Sequence, residues 1–179
     1  ELRALRAQLD PHLLFNTLAH LRALVEEEPQ LALHMIDRLI PFLRDVLEGA
    51  RNDASTLQAE FERLRHYLEL MSMRVGPRMT WTLDLPEALR RVSIPAMLLQ
   101  PLVENAIQHG VGRSAGPGRV SVSARREEGE LVVCICNSGS LNDIAPRSTG
   151  YGLQHVQERL TALHGISGRL VLEQTNKAE

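Results

Sequence analysis

His12 stands in the run Gln8-Leu9-Asp10-Pro11-His12-Leu13-Leu14-Phe15-Asn16-Thr17-Leu18. An unperturbed imidazole has a pKa of about 6.5, so at neutral pH it offers a nitrogen lone pair. Attack by that nitrogen on a γ-phosphoryl group makes a phosphoramidate, which is a good onward donor. Pro11 is out of place inside a helix, because its ring clashes with the carbonyl four residues back, at Ala7, and it donates no hydrogen bond. Two arrangements accommodate it: Asp10 as an N-cap with Pro11 at the first helical position, or one helix with a kink. Both leave the backbone beside His12 irregular and the ring open to solvent. By spacing alone a single histidine on a helix is more often packed or solvated than nucleophilic, so other segments must decide.

A second segment is Gln100-Pro101-Leu102-Val103-Glu104-Asn105-Ala106-Ile107-Gln108-His109-Gly110. Leu98, Leu102 and Ala106 form an apolar side, while Asn105 and His109, four apart, share a polar face with Glu104 and Gln108. An amide oxygen is a hard ligand suited to Mg²⁺, a cation that keeps waters and binds phosphate oxygens. The plainer reading is a solvated face ending at Gly110 as a C-cap. A third segment is Asn137-Ser138-Gly139, followed by Thr149-Gly150-Tyr151-Gly152-Leu153. Gly-x-Gly at a helix entry lets the backbone approach a phosphate, and a helix N-terminus favours anions. Alone it is a weak signal, equally served by a tight turn. No G-x-x-x-x-G-K-[ST] occurs, so this is not a P-loop protein.

These residues need elements to hold them. Leu2, Leu5, Leu9, Leu13, Leu18, Leu21 and Val25 recur at helical spacing, and Glu26-Glu27-Glu28-Pro29 ends the series. Leu31, Met35, Leu39, Leu43 and Val46 begin another that runs to Gly49. Together they read as an antiparallel helical hairpin, and a second copy would complete a four-helix bundle. After a polar break at Arg51–Ser55, a third helix spans about Thr56 to Val75. Beyond Gly76-Pro77 the pattern changes. Met79, Trp81, Leu83 and Leu85 alternate as in a strand, as do Val120, Val122 and Ala124. Ile94 to His109 reads as a helix, Leu131 to Cys136 as a central strand buried on both faces, Gly150 to His164 as a helix, and Arg169 to Glu173 as a last strand.

The chain has 179 residues, 44% of them hydrophobic, enough for one ordinary domain or two small ones. A net charge of -2 argues against nucleic-acid binding. No apolar run reaches the roughly 18–20 residues that a membrane span needs. The first residue is Glu1, which suggests an excised piece. Cys134 and Cys136, two apart in an apolar run, are expected to be buried and reduced.

In this order and at these distances the three segments resemble the LytS-type sensor histidine kinases, and the resemblance runs over nearly the whole chain. Pro11-His12-Leu13-Leu14-Phe15-Asn16 is similar to that family's P-H-F-L-F-N phosphoacceptor motif. Gln100 to Gly110 is similar to its Q-P-L-V-E-N-A-I-K-H-G nucleotide motif, and Gly150 to Leu153 with Glu158-Arg159-Leu160 to its G-x-G-L…E-R-L. The resemblance implies an α+β fold: an N-terminal helical hairpin, then a two-layer α/β sandwich that binds ATP, of the gyrase and histidine-kinase type. Residues 1–52 would form the phosphoacceptor and dimerisation hairpin, 53–77 a connecting helix, and 78–179 the catalytic domain without its last strand. It also implies ATP and Mg²⁺ as cofactors, autophosphorylation of His12, and transfer to an aspartate of a response regulator of the LytTR type. Further implications are a homodimer through the hairpin, and a cytoplasmic domain whose parent protein reaches the bacterial inner membrane through a missing N-terminal region. By the same resemblance Asn105 coordinates Mg²⁺ and His109 lies near the phosphates. Asn137 stands where the family often has an adenine-reading Asp. Gly139, Gly150, Gly152 and Leu153 line the lid and the phosphate path, the lid being Ser138 to Thr149.

The chain departs from the pattern at several points. Leu13 replaces Phe, Gln108 replaces a common Lys, and Asn137 replaces Asp. Glu104 and Asp10 are both candidate general bases, of which Glu104, beside the magnesium ligand, is favoured. The family's further G-T-x-V strand does not follow Thr175-Asn176-Lys177-Ala178-Glu179. Two other readings keep the ATP site: a degenerate nucleotide-binding regulator without kinase activity, for which Gln108 and Asn137 speak, and a gyrase- or chaperone-like ATPase. The ATPase has no use for Pro11-His12, and its catalytic Glu would fall at Pro101.

Overall fold

The computed structural model describes residues 11–111, 116–139 and 150–173, with Pro11, His12, His109, Gly150 and Tyr151 described in backbone alone. Asp10, the segment on which the choice of N-cap or kink turns, and residues 140–149 of the expected lid lie outside the described residues.

Two helices come first, α1 (Pro11–Glu27) and α2 (Pro29–Gly49). Pro29 suits the start of α2 because its missing N–H has no partner there and its φ is already helical. Along α2 the buried positions are Ala32, Met35, Leu39, Phe42, Val46 and Gly49, steps of three and four that keep one stripe inward. In α1 Leu13 and Leu24 are buried, and so is Thr17, whose hydroxyl donates to the Leu13 carbonyl at 2.8 Å. Met35 and Phe42, almost wholly buried, each contribute about 1.5–3 kcal/mol relative to exposure.

The polar break after α2 holds a short strand that the pattern did not announce, β1 (Ala54–Thr56). Thr56 then caps α3 (Leu57–Val75), its Oγ1 accepting from Ala59 N at 3.2 Å. Gly76 ends α3 at φ 82, a backbone conformation that glycine adopts without strain. Phe42 of α2 meets Tyr67 of α3 with ring centroids 5.7 Å apart.

Next come β2 (Met79–Asp84), β3 (Ser93–Pro95), α4 (Gln100–Ala106), β4 (Gly118–Glu127), β5 (Glu130–Asn137) and α5 (Gly150–His164). The strands make two sheets. One is the antiparallel pair β1–β3, and the other has the order β2–β4–β5, parallel between β2 and β4 and antiparallel between β4 and β5. Glu128 and Gly129, both at positive φ, make the tight β4–β5 turn. Trp81, Leu83, Val120, Val122, Ala124, Leu131, Val133 and Ile135 face the core beneath the helices, while Thr82, Ser121, Ser123 and Cys134 share the other face. This is a two-layer α/β arrangement joined to a helical hairpin, an α+β fold.

Four expectations require correction. The Leu131–Cys136 run is not a central strand: β5 is an edge among the described residues, and its inner positions are half-buried. Cys134 is accordingly half-buried and Cys136 exposed. Arg125, raised above its usual pKa by the hydrogen bonds it donates to Glu127 and Cys134, sits on the same outer face. The helix expected from Ile94 begins only at Gln100, because Ser93–Pro95 pairs with β1 first. Arg169 to Glu173 form no ladder. Gln157 of α5 holds that segment instead, donating to Gly168 O at 3.1 Å and accepting from Leu170 N at 2.9 Å. A cavity of about 380 Å³ is lined by Leu131 and Val133 of β5, Leu160 of α5 and Leu170 of this segment.

Candidate functional site

The second segment of interest enters through a strained turn. Met97 has φ 60, which few non-glycine residues adopt. Pro101 then lies in the first turn of α4, where a missing N–H costs nothing. Val103 and Ala106 turn inward, and Glu104 and Asn105 are half-buried along the flank. Gln100 is buried, and its Nε2 donates to Glu104 Oε1 at 2.8 Å. Its Oε1 is buried with no hydrogen-bond partner among the described residues, an orphaned acceptor at the root of this helix.

Gly110 is not a C-cap. After Ala106 the helix widens into a π turn, Ile107–Val111, that contains it. Such turns are rare and recur at functional sites. The widening brings Gly110 hard against Asn137. A Cβ on Gly110 would lie 2.4 Å from Asn137 Nδ2, so the close approach needs glycine. Asn137 Nδ2 donates to the Ala106 carbonyl at 2.8 Å. With its amide nitrogen so engaged, Asn137 has Oδ1 left to serve as an acceptor. The turn behind it is pinned to β4, with Ser138 N donating to Arg119 O and Arg119 N to Ser138 Oγ, both at 3.0 Å.

Replacement of Gly110 by alanine forces Asn137 off Ala106. The expected cost is about 1–3 kcal/mol of stability, read by thermal or denaturant unfolding. An unchanged melting temperature would show that the clasp is not tight.

The third segment closes the group. Gly152, near the start of α5, faces Pro101, with a Cβ at that position meeting Pro101 Cβ at an ordinary 3.9 Å. Leu153 is half-buried, and Val156 is buried on the side facing α4. Glu104 and Asn105 lie along α4, Asn137 at the end of β5 meets the last residue of α4 at the Ala106 carbonyl, and Gly152 of α5 meets its first turn at Pro101. Gly139 follows β5 and Leu153 follows Gly152 in α5, so the two neighbours flank the helix at opposite ends. Gly150 begins α5, and the His109 backbone lies in the π turn. His12 is elsewhere, in the first turn of α1, a helix whose main partner is α2.

Among the described residues no three His, Cys, Asp or Glu side chains gather as a metal cage. The donor set suits a different kind of ion. One half-buried amide oxygen, on Asn105, fits Mg²⁺ that takes its other ligands from phosphates and water. The orphaned Gln100 acceptor stands at the first residue of α4, and the Gly110 cradle lies beyond its last.

Sequence reasoning named Arg159 only within the E-R-L motif, without a role, and missed Glu60 and Arg63. Arg159 reaches from α5 to the Ala96 carbonyl at 2.6 Å and the Asp53 carbonyl at 3.4 Å. Glu60 and Arg63 form a buried ion pair within α3. A signal was available for the pair: both fall within the inward stripe of Leu57, Phe61, Leu64 and Tyr67.

The Histidine kinase family model matches residues 1–79. The chain is 33% identical over 165 residues to Sensor histidine kinase BtsS of Escherichia coli (strain K12), covering 92% of this chain and 29% of that protein. It is 30% identical over 187 residues to Sensor protein LytS of Staphylococcus haemolyticus (98% and 32%), and 32% identical over 169 residues to Sensor histidine kinase YesM of Bacillus subtilis (92% and 29%). The chain thus spans about a third of the length of the curated relatives it matches. No helix among the described residues is long and apolar enough to cross a membrane. The matches to these relatives cover nearly the whole chain, and the chain belongs to the sensor histidine kinases of the LytS type.

Proposed function

We propose that this chain binds Mg-ATP along α4, phosphorylates His12, and passes the phosphoryl group to an aspartate of a response regulator. The observation that supports the reading is the placement of three separate segments around one helix, α4. Asn137 clasps the Ala106 carbonyl beside Gly110, the Asn105 flank adjoins it, and the glycine-rich start of α5 lies against Pro101. In this reading residues 1–52 are the phosphoacceptor hairpin, 53–77 the connecting helix and 78–179 the ATP-binding domain.

Each residue has a definite task. Asn137 Oδ1 accepts from the adenine amino group, since its Nδ2 is held by Ala106. Asn105 supplies the amide oxygen for Mg²⁺, which when bound neutralises phosphate charge. His109 lies near the phosphates, and Gly139, Gly150, Gly152 and Leu153 form the path beside them. The His12 imidazole nitrogen forms a P–N bond to the γ-phosphorus as the bridging P–O bond to ADP breaks. Glu104, kept in place by Gln100, takes the imidazole proton. Because His12 is on α1, the hairpin must move or be presented by a second copy.

Incubation of the chain with γ-labelled ATP and Mg²⁺ tests the reading. The expected product is a protein-bound label that is acid-labile and alkali-stable, and that moves to a receiver domain when one is added. Phosphate release without a retained label would overturn it in favour of an ATPase.

The hairpin leaves an apolar stripe uncovered. Leu33, Ile40 and Leu47 are exposed at seven-residue spacing, and Phe15, Leu18 and Val25 are exposed on α1. Ile36 and Leu43, half-buried, join the stripe to the core. Seven-residue spacing is that of a helix seam, so this stripe is where we place the homodimer. The double change Ile40→Lys and Leu47→Lys should turn a dimer into a monomer in sedimentation equilibrium, with helicity retained. A wild-type chain that sediments as a monomer would remove the proposal. Attachment of the parent protein to the bacterial inner membrane, with this part cytoplasmic, is proposed from the family alone.

A further inference from the structure

Four elements meet where the hairpin ends. Glu60 is 1% exposed and Arg63 6%, one helical turn apart on α3, and they form an ion pair. Glu60 Oε1 also accepts from the Met97 backbone N–H at 3.1 Å. Arg63 Nε donates to the Asp45 carbonyl of α2 at 3.2 Å. Gly49, the last residue of α2, fits into the same junction: a Cβ there would stand 2.7 Å from Met97 Sδ and 3.1 Å from Arg63 Cζ. On the other side Ala96 N donates to Asp53 O at 3.2 Å, and Arg159 of α5 grips both carbonyls.

Stability alone is a poor reason for burying these charges. An apolar pair of similar volume is often as stable or more so. What the pair does hold is a strained backbone. Met97, at φ 60, stands three residues before α4, and a conformation of that kind persists only where its surroundings impose it. A shift in the last turn of α2 moves Arg63 through Asp45. Arg63 moves Glu60, Glu60 moves the Met97 amide, and Met97 leads directly into the helix that carries Asn105.

We propose that Glu60 and Arg63 are positioning residues that couple the end of the hairpin to the nucleotide-binding helix. The naming of α4 as that helix rests on the function proposed above; the joint itself does not.

The test uses the whole chain, with Glu60→Gln combined with Arg63→Met so that no lone charge stays buried. Arg63→Lys serves as a second variant that keeps the charge and loses the planar fork. Without ligand, amide hydrogen exchange at Val46–Ala50 and at Met97–Leu102 should rise together by tenfold or more, with β4 unchanged. With a non-hydrolysable ATP analogue and Mg²⁺, wild type should show slowed exchange at Val46–Ala50. The variants should bind the analogue within threefold of wild type and lose that remote slowing, which a purely structural role would not separate from affinity. A variant that still transmits the slowing, or in which only one of the two segments loosens, overturns the coupling. If wild type binds no analogue, the ATP reading fails instead, and the ligand-free exchange decides the joint by itself.

Discussion

Glutamine at position 12 should reduce acid-labile labelling from γ-labelled ATP to background, a loss of about 100-fold or more, as expected when the only nucleophile is removed. Glutamine keeps a polar side chain of comparable size, so the change is chemical rather than steric. Its amide nitrogen has no free lone pair, and its amide oxygen is a poor nucleophile. ATP affinity should stay within about twofold, because His12 is on α1 and the proposed nucleotide contacts are on α4, β5 and α5. Affinity is read by titration with a fluorescent nucleotide and labelling by filter retention before and after acid. A variant that keeps full label would move the acceptor to another residue.

The hairpin was legible because each helix buries one stripe, and steps of three and four along α2 leave no other geometry. Strand β2 was legible for the same reason, with alternation that matches a sheet open on one face. Strand β5 was misplaced because a run of apolar residues is equally compatible with a covered central strand and with an edge strand. What lies on its far side is tertiary information. Ile94 and Pro95 read as helix because the pairing of their strand with β1 joins residues far apart in the chain. Asn105, Asn137 and Gly152 could be singled out one by one, by motif. The placement of Asn137 against α4 could not be read, because it depends on a π turn that no local pattern announces and on one hydrogen bond between Asn137 and Ala106. The resemblance to a family supplied roles, and the packing sets the residues concerned around one helix.

Alanine at position 105 should give a different failure from glutamine at position 12. Asn105 is half-buried on the flank of α4, outside the stripe formed by Gln100, Val103 and Ala106, so its removal leaves the packing intact. The melting temperature should shift by no more than about 2 °C, as for a surface change of less than about 0.5 kcal/mol. The lost group is the amide oxygen assigned to Mg²⁺. Without it the metal-bound nucleotide loses about 2–3 kcal/mol of binding, roughly a 30- to 150-fold drop in Mg-ATP affinity, and labelling of His12 disappears with it. Adenosine, which carries no phosphate and needs no metal, should bind both proteins within about threefold, because Asn137 still stands clasped to Ala106. Comparing the two ligands by calorimetry separates the metal's share from the base's share. Equal losses for adenosine and Mg-ATP would mean that Asn105 shapes the pocket rather than holding the ion. Asn105→Asp, which restores an oxygen at the same place, should then fail to recover binding; if Asn105 is the ligand, it should recover most of it.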